Sequence, residues 1–511
     1  MSNTKTIARN SGWYGLESAI NATVALLTSI MIARALGPTK NGYIIYVNYI
    51  ASVVSGLGGV GIPATTRKYM AEFLGMGDRG TARYIYLRTL MLQAAFATVA
   101  TTGLAIWILH DANDEYRAAA LLIVLSIWPA MVNAISAHAN IAMEQLSRNF
   151  PASVLSTLIF FCGIGATVVF HWSVLGVGAS IFTMRAVDFL VRIFLTAKHT
   201  LAWESAHIQP PGLYRRMTIF AWQSVASMIA ALIVWERSEV LLLKSLCPDI
   251  RQVSFYSVAF SMAERLLIGS SIFGSATGAT IFAQFGRDKS RLPLIAASTF
   301  RYLVLAAIPL HIVAAALAKP ALLLLFGHEY AGAAMAATLA PLLCMPKAFM
   351  SPAQSLLQSN ERQSYIIGAT ILAGIVDIGV AWSLIPSLGA VGACLGSGAA
   401  QVTAVGLMWA ICIKLYKVKL PWRMAAKIVL ISLAAALTAH LVAVRFSPVW
   451  GILLGGGASL AVFVSSLYAM RVLERNDGER MQVVFKLLPR CIGEPACAFT
   501  SLLIRPVSSA E

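Results

Sequence analysis

About fourteen apolar stretches follow one another along this chain, each long enough to cross a bilayer, with little between them. They run over roughly 11–35, 42–66, 84–109, 118–142, 151–171, 174–197, 218–243, 253–282, 293–318, 333–357, 365–386, 389–413, 424–446 and 449–470. A helix needs roughly 20 apolar residues to span the hydrocarbon core. Hydrophobic residues make up 58% of the 511 and charged residues 12%, where soluble domains carry about 25% charged residues. The pattern predicts an all-α polytopic membrane protein. Its function must then be one that a helix bundle performs: moving a substrate, passing a signal or catalysing at the bilayer.

The basic residues set an orientation. One alternating set of connectors holds about 25 of the 39 Lys and Arg, including Arg67, Lys68, Arg79, Arg83, Lys414, Lys417 and Lys419. The opposite set holds about 7, among them Arg34, Lys40 and Arg117. Cytoplasmic connectors carry the excess of Lys and Arg, so an even span count places both termini in the cytoplasm. The net charge of +17 then describes contact with anionic membrane lipid. It does not point to nucleic acid, because the basic residues form no single stripe. Residues 12–36 are longer than a signal-peptide core and read as the first span. The seven cysteines contain no C-x-x-C and imply neither a disulfide framework nor a zinc site.

An internal repeat is legible at an offset of about 210 residues. Arg34-Ala-Leu36-Gly-Pro38 falls on Lys244-Ser-Leu246-Cys-Pro248, and Tyr46 on Tyr256. Asp78-Arg79 falls on Asp288-Lys289, Glu115-Tyr116 on Glu329-Tyr330, and Glu144 on Glu361. Six spans separate the copies, which predicts a parallel repeat of two pseudo-symmetric six-helix lobes plus two extra helices. The lobes are 1–215 (spans 1–6) and 216–420 (spans 7–12). The extra spans occupy 421–470, and 471–511 is a basic cytoplasmic tail. Chance convergence of short connectors on Gly, Pro and Tyr is the alternative.

A charge within a span costs roughly 2.5–3.5 kcal/mol on insertion scales, so it faces a cavity or a partner. Span 6 carries Arg185, Asp188 and Arg192 on one helical face. Span 7 ends in Trp235-Glu236-Arg237-Ser-Glu239, span 8 carries Glu264 and Arg265, span 10 Lys347, span 11 Asp377 and span 1 Glu17. Two readings stand. The charges either staple helices as ion pairs or line a cavity that receives an anionic headgroup. In the second reading Arg185, Asp188, Arg192, Arg237, Arg265 and Lys347 line the substrate cavity, since guanidinium groups bind phosphate with a fork of donors. The acids Glu17, Glu236, Glu239, Glu264 and Asp377 are then candidates for ion coupling or for a gate.

No Gly-Lys dipeptide occurs, so there is no P-loop. Gly56-Leu-Gly58-Gly-Val-Gly61 fits G-x-G-x-x-G, but it lies inside span 2 and reads as close helix packing, as do Gly274-x-x-x-Gly278 and Gly451-x-x-x-Gly455. His138, alone on its helix, reads as a hydrogen-bonded packing residue. Residues 320–330 read as a short helix lying at the outer surface. No metal or cofactor is implied.

The chain resembles the polysaccharide (O-antigen) flippases of the multidrug/oligosaccharidyl-lipid/polysaccharide exporter superfamily. The similar elements are Asn10-x-x-Trp13; Ala33-Arg-Ala-Leu-Gly-Pro38 followed by Gly42-Tyr43; Lys68-Tyr-Met-Ala-Glu72; Trp235-Glu-Arg-Ser-Glu239; Phe255-Tyr-Ser-Val-Ala-Phe260; Leu325-Phe-Gly-His-Glu-Tyr330; and Leu388-Gly-Ala-Val-Gly-Ala393. The resemblance implies alternating access by two lobes that moves a polyprenyl-pyrophosphate-linked oligosaccharide across the bacterial inner membrane. It also implies coupling to H+ or Na+, and partners such as a polysaccharide polymerase and a chain-length regulator. Lipid II and multidrug exporters of the same superfamily are the nearer alternatives. A polyprenyl-phosphate-dependent ligase or transferase is the enzymatic one, and it requires a large outer loop that the sequence lacks.

Overall fold

Glycine and proline divide the apolar stretches where connectors are expected, and often within the stretches themselves. The computed structural model describes residues 2–111, 114–204, 211–235, 237–285, 288–470 and 472. Among these every regular element is helical: α1 (Ser2–Gly58), α2 (Ile62–Gly75), α3 (Arg79–Asp111), α4 (Asp114–Leu125), α5 (Ile127–Ala142), α6 (Asn149–Val169), α7 (Ser173–Thr200), α8 (Leu213–Trp235) and α9 (Glu239–Leu246). There follow α10 (Arg251–Phe285), α11 (Leu292–Phe326), α12 (Ala334–Cys344), α13 (Met350–Ser359), α14 (Gln363–Leu388), α15 (Ala390–Tyr416), α16 (Trp422–Ala443) and α17 (Pro448–Ala469). Eleven described helical segments are long and apolar enough to cross a membrane. Large apolar side chains such as Val99, Phe194 and Leu430 stand exposed along them, as lipid-facing residues do. The chain is an all-α, multi-pass membrane protein.

The eleven segments depart from the expected fourteen at definite places. Spans 1 and 2 are two helices that meet within α1 and count there as one segment: Gly37, ahead of Pro38, takes the non-helical φ +68 and ψ 173 and breaks the helix where the connector is expected. The expected spans 7 and 8 lie in α8 to α10, which are not among the eleven. Residues 320–330 do not form a separate surface helix. Instead α11 runs through Pro309 and Pro320 to Phe326, and a 3-10 turn, His328–Ala333, follows. Three expected spans are broken inside. Span 2 breaks between α1 and α2, span 4 between α4 and α5, and span 10 at a 3-10 segment, Met345–Phe349.

The chain divides into two compact units, residues 1–255 and 256–511. In the first, Ile123, Ile127, Ile164 and Val177 centre one apolar cluster, and Met70, Ile85, Tyr86 and Ile135 a second. The start of α8 is fastened to α2 and α3. Arg216 pairs with Glu72 at 2.7 Å, the Lys68 ammonium sits 4.0 Å over the Phe220 ring, and Tyr84 and Tyr214 share a hydrogen bond. In the second unit Trp409 Nε1 donates to the Phe349 carbonyl at 2.9 Å. Glycines there let helices approach closely. A Cβ on Gly451 or Gly455 would stand 2.9 or 2.8 Å from the Ala443 or Ala439 carbonyl oxygen, the packing expected of that motif.

The sequence repeat has a counterpart in local geometry. Glu144 and Glu361 each sit past a helix end at φ +56 and +58, a conformation that favours glycine. In both turns the next residue closes the helix, Gln145 N–H to the Asn140 carbonyl and Arg362 N–H to the Leu357 carbonyl, each at 2.9 Å. Pro129 and Pro346 stand equally far ahead of these glutamates, each at a helix break. Asp78 and Asp288 both accept from a backbone N–H of the next turn, Thr81 at 2.9 Å and Ser290 at 3.0 Å. Hydrogen bonds from Thr81 and Ser290 hold the two carboxyls below the ordinary value of 3.8.

Candidate functional site

The helix breaks of the first unit open a cavity of about 550 Å³. One face of α1 supplies Ser52, Ser55 and Gly56, and one face of α5 supplies Ala130, Ala134 and His138. These are spaced three and four residues apart, so the helical repeat puts each set on a single face. Gln93 of α3, Arg185 of α7 and Ser224 of α8 complete the polar lining.

Room for the cavity comes from small residues and from a break in span 2. After Gly58 the backbone leaves the helix, with Val60 at φ +44 and Gly61 at φ +67. Gly56 has nothing within 4 Å of where a Cβ would lie, so it borders open space. Gly58 packs instead, and a Cβ there would meet Met131 Cε at 2.7 Å. A Cβ on Gly61 would overlap the Ala221 carbonyl, so only glycine lets α8 approach. Packing, expected for the whole motif, thus describes Gly58; Gly61 both packs against α8 and lines the cavity, and Gly56 and Gly59 line it too.

The three charges of α7 separate. Asp188 Oδ1 accepts from Arg192 Nη2 at 2.6 Å and Nε at 3.2 Å, and its Oδ2 accepts from Asn133 Nδ2 at 2.6 Å. Both carboxylate oxygens are therefore engaged, and Arg192 is buried against them. Arg185 is outside this network. Its Nη2 donates to Asn48 Oδ1 at 3.4 Å, and no carboxylate lies within salt-bridge distance among the described residues. Asp188 and Arg192 staple α7 to α5, while Arg185 projects its guanidinium into the cavity.

Two further groups look into the same space. Gln93, fully buried, donates from Nε2 to the Gly58 carbonyl at 3.5 Å, and its Oε1 has no hydrogen-bond partner among the described residues. His138 lines the cavity rather than packing as a satisfied core residue, and its buried Nδ1 is likewise without a hydrogen bond there. No Asp or Glu is among the described lining residues. The cavity therefore offers one fixed positive charge, hydroxyls, amide groups and an imidazole, a set suited to an anion.

The other expected site residues lie elsewhere. Arg237 stands at φ +58 just before α9, and Glu239 is buried in the first turn of that helix. Glu236 lies outside the described residues. In the second unit Lys347 Nζ is 3.9 Å from Glu264 Oε1, both about a quarter exposed, and Arg265 is half-buried on α10. Asp377 is buried on α14 opposite Gly396 of α15, where a Cβ would come within 3.1 Å of Oδ1. Glu17 is half-buried on α1. Gln93, Asn48, Asn133, Ser52 and Ser55 were not singled out by sequence. A lone glutamine amid the apolar run of span 3 was the available signal for Gln93.

No family model matches the sequence, and neither does any curated protein. Solved structures do share the fold. Lipid II flippase MurJ in an inward closed conformation superposes with a TM-score of 0.69 at 12% identity, over 89% of this chain and 98% of that one. An inward-facing multidrug resistance MATE family transporter of the MOP superfamily gives 0.62 at 15% identity, over 78% and 95%. A MOP superfamily transporter from Pyrococcus furiosus, described as having a binding pocket of reverse polarity, gives 0.55 at 16% identity, over 81% and 96%. At these identities the likeness shows the fold.

Proposed function

We propose that this protein is a transporter that flips a polyprenyl-pyrophosphate-linked oligosaccharide across the bacterial cytoplasmic membrane, for surface polysaccharide assembly. Both termini are cytoplasmic, and lobes 1–215 and 216–420 exchange access to the two leaflets. The observation that carries the proposal is Arg185, a guanidinium in a membrane span beside a cavity with no acidic residue among its described lining. A cation left without a carboxylate at this depth is costly unless an anion visits it. A diphosphate supplies that anion in the geometry guanidinium binds best. Multidrug cations would meet the wrong charge. Lipid II carries the same diphosphate, and the likeness to MurJ keeps it as the second reading. The acids Glu17, Glu236, Glu239, Glu264 and Asp377 are the candidates for H+ or Na+ coupling or for a gate, and the polymerase and chain-length regulator are the candidate partners.

Flipping assayed in proteoliposomes with a polyprenyl-pyrophosphate glycan and, separately, with lipid II tests both readings. Arg185→Ala abolishes transport while insertion stays normal. Arg185→Lys restores part of it, because the ammonium keeps charge but loses the two-pronged contact. Normal transport by Arg185→Ala refutes the headgroup role.

A further inference from the structure

We infer that His138 takes up a proton when a diphosphate enters the cavity beside Arg185, so that loading of this site is proton-linked. The inference rests on the anion-binding reading above and adds the group that completes its charge.

A diphosphate diester carries two negative charges at neutral pH, and the lining supplies one fixed cation, Arg185. Burying the uncompensated charge is unfavourable at membrane depth. His138 lines the same cavity, and its Nδ1 is buried without a hydrogen bond among the described residues. A neutral imidazole has one unprotonated ring nitrogen, so the ring can take up a second proton. The groups around this stretch of α5 explain why an anion is needed for that uptake. On α2, Arg67 is exposed and outside the lining. On α3, Tyr86 is bound to Ser136 of α5. On α7, Arg185 faces the cavity, and Asp188 is taken up by Arg192 and Asn133. From α1 and α8 the lining is neutral, with Ser52, Ser55 and Ser224. Past the end of α5 come Glu144 and then Arg148, more than a turn from the ring and outside the lining. In the empty cavity an imidazolium would lie beside the Arg185 guanidinium with no carboxylate among the described lining residues to offset it. With the diphosphate in place it gains the missing counter-ion. The proton comes from bulk water, resides on the imidazole while the headgroup is bound, and returns to water when the headgroup leaves.

The test is calorimetric titration of the full chain in phosphatidylcholine nanodiscs, so that no anionic lipid competes. The ligand is a short-chain prenyl diphosphate diester of N-acetylglucosamine, which does not itself titrate near pH 7. Binding is measured in buffers of different ionisation enthalpy, and again at pH 6.5, 7.5 and 8.5. Wild type takes up close to one proton per ligand, and its Kd weakens several-fold, up to tenfold, per pH unit upward. His138→Gln binds more weakly, with no proton uptake and a flat pH profile. Binding by wild type without proton uptake, or uptake that persists in His138→Gln, overturns the inference and leaves the anion site standing. No binding by wild type overturns both. The wild-type pH slope decides the matter even where the variant does not fold.

Discussion

Removing the Asp188 carboxylate should destabilise the first unit far more than removing the Arg185 guanidinium, although both sit on one face of one helix. The Arg192 side chain is 8% exposed and that of Asp188 23%. Asp188→Ala leaves Arg192 as a buried charge and takes the acceptor from Asn133, a loss in the class of about 3–5 kcal/mol. The partial exposure of Asp188 places it near the lower end, about 3 kcal/mol. Arg185→Ala removes one long hydrogen bond, 3.4 Å to Asn48, and costs about 1 kcal/mol or less. The double variant Asp188→Leu/Arg192→Leu removes both charges together and should recover most of the loss, since apolar replacement of a whole buried pair is often close to neutral. A double-mutant cycle on unfolding in mixed micelles measures the coupling, expected at about 2–3 kcal/mol. Additive effects of the Asp188 and Arg192 substitutions, or equal destabilisation by Arg185→Ala and Asp188→Ala, would show that the division between staple and cavity charge is wrong.

Other outcomes are as definite. Gly61→Ala must adopt φ +67 and meets the Ala221 carbonyl, so it should cost at least about 1–2 kcal/mol and loosen α8, read as faster protease cleavage within that helix. Gly56→Ala meets open space. It should leave stability within about 0.5 kcal/mol while its methyl group narrows the cavity and weakens diphosphate binding, measured on the same preparation. Asp78→Ala loses the cap of α3 and about 1 kcal/mol, whereas Asp78→Asn keeps most of it. Because hydrogen bonding from Thr81 holds the Asp78 carboxyl below 3.8, the cap's contribution is fully present above that pH. It is lost only as pH falls through the lowered folded-state value, and a loss already at pH 5 would contradict it. Single cysteines near Arg79 should resist an impermeant thiol reagent in intact cells, and one at His328 should react; the reverse pattern would invert the orientation.

The fold class was legible because a bilayer leaves few ways to satisfy backbone polar groups, so long apolar runs translate directly into helices. Boundaries were less so. Hydropathy averages across a window, and a break such as Gly58 to Ile62 is invisible to it, because Val60 and the glycines are as apolar as the helix they interrupt. The same averaging merged α4 with α5. Charges were visible as exceptions, but their roles were not. Arg185, Asp188 and Arg192 share one face in sequence, and only the position of Asn133, fifty-odd residues earlier on another helix, divides a staple from a cavity charge. His138 was visible and assigned to packing, which is the usual fate of a lone histidine. Its difference lies in Gly56 and Gly59, whose missing side chains leave space opposite it.

A polar space inside an apolar bundle needs both vacancy and polar groups, and helices packed by large side chains supply neither. Here one segment provides both. The glycines of α1 give the room, and the break after Gly58 frees the Gly58 carbonyl, which accepts from Gln93 on a neighbouring helix at 3.5 Å. Irregular backbone at membrane depth is tolerated where it lines such a space. Filling the glycines and restoring the helix are then separable perturbations. Gly56→Ala should shrink the cavity without moving Gln93. Gln93→Leu should remove the partner of the freed carbonyl without changing the room, and should weaken diphosphate binding while the accessible volume stays the same. Accessible volume, measured by xenon uptake or by the rate of a small thiol reagent at a cysteine placed at Ser55, should fall in the first variant and hold in the second. Equal changes in both would mean that the break and the vacancy are one feature rather than two.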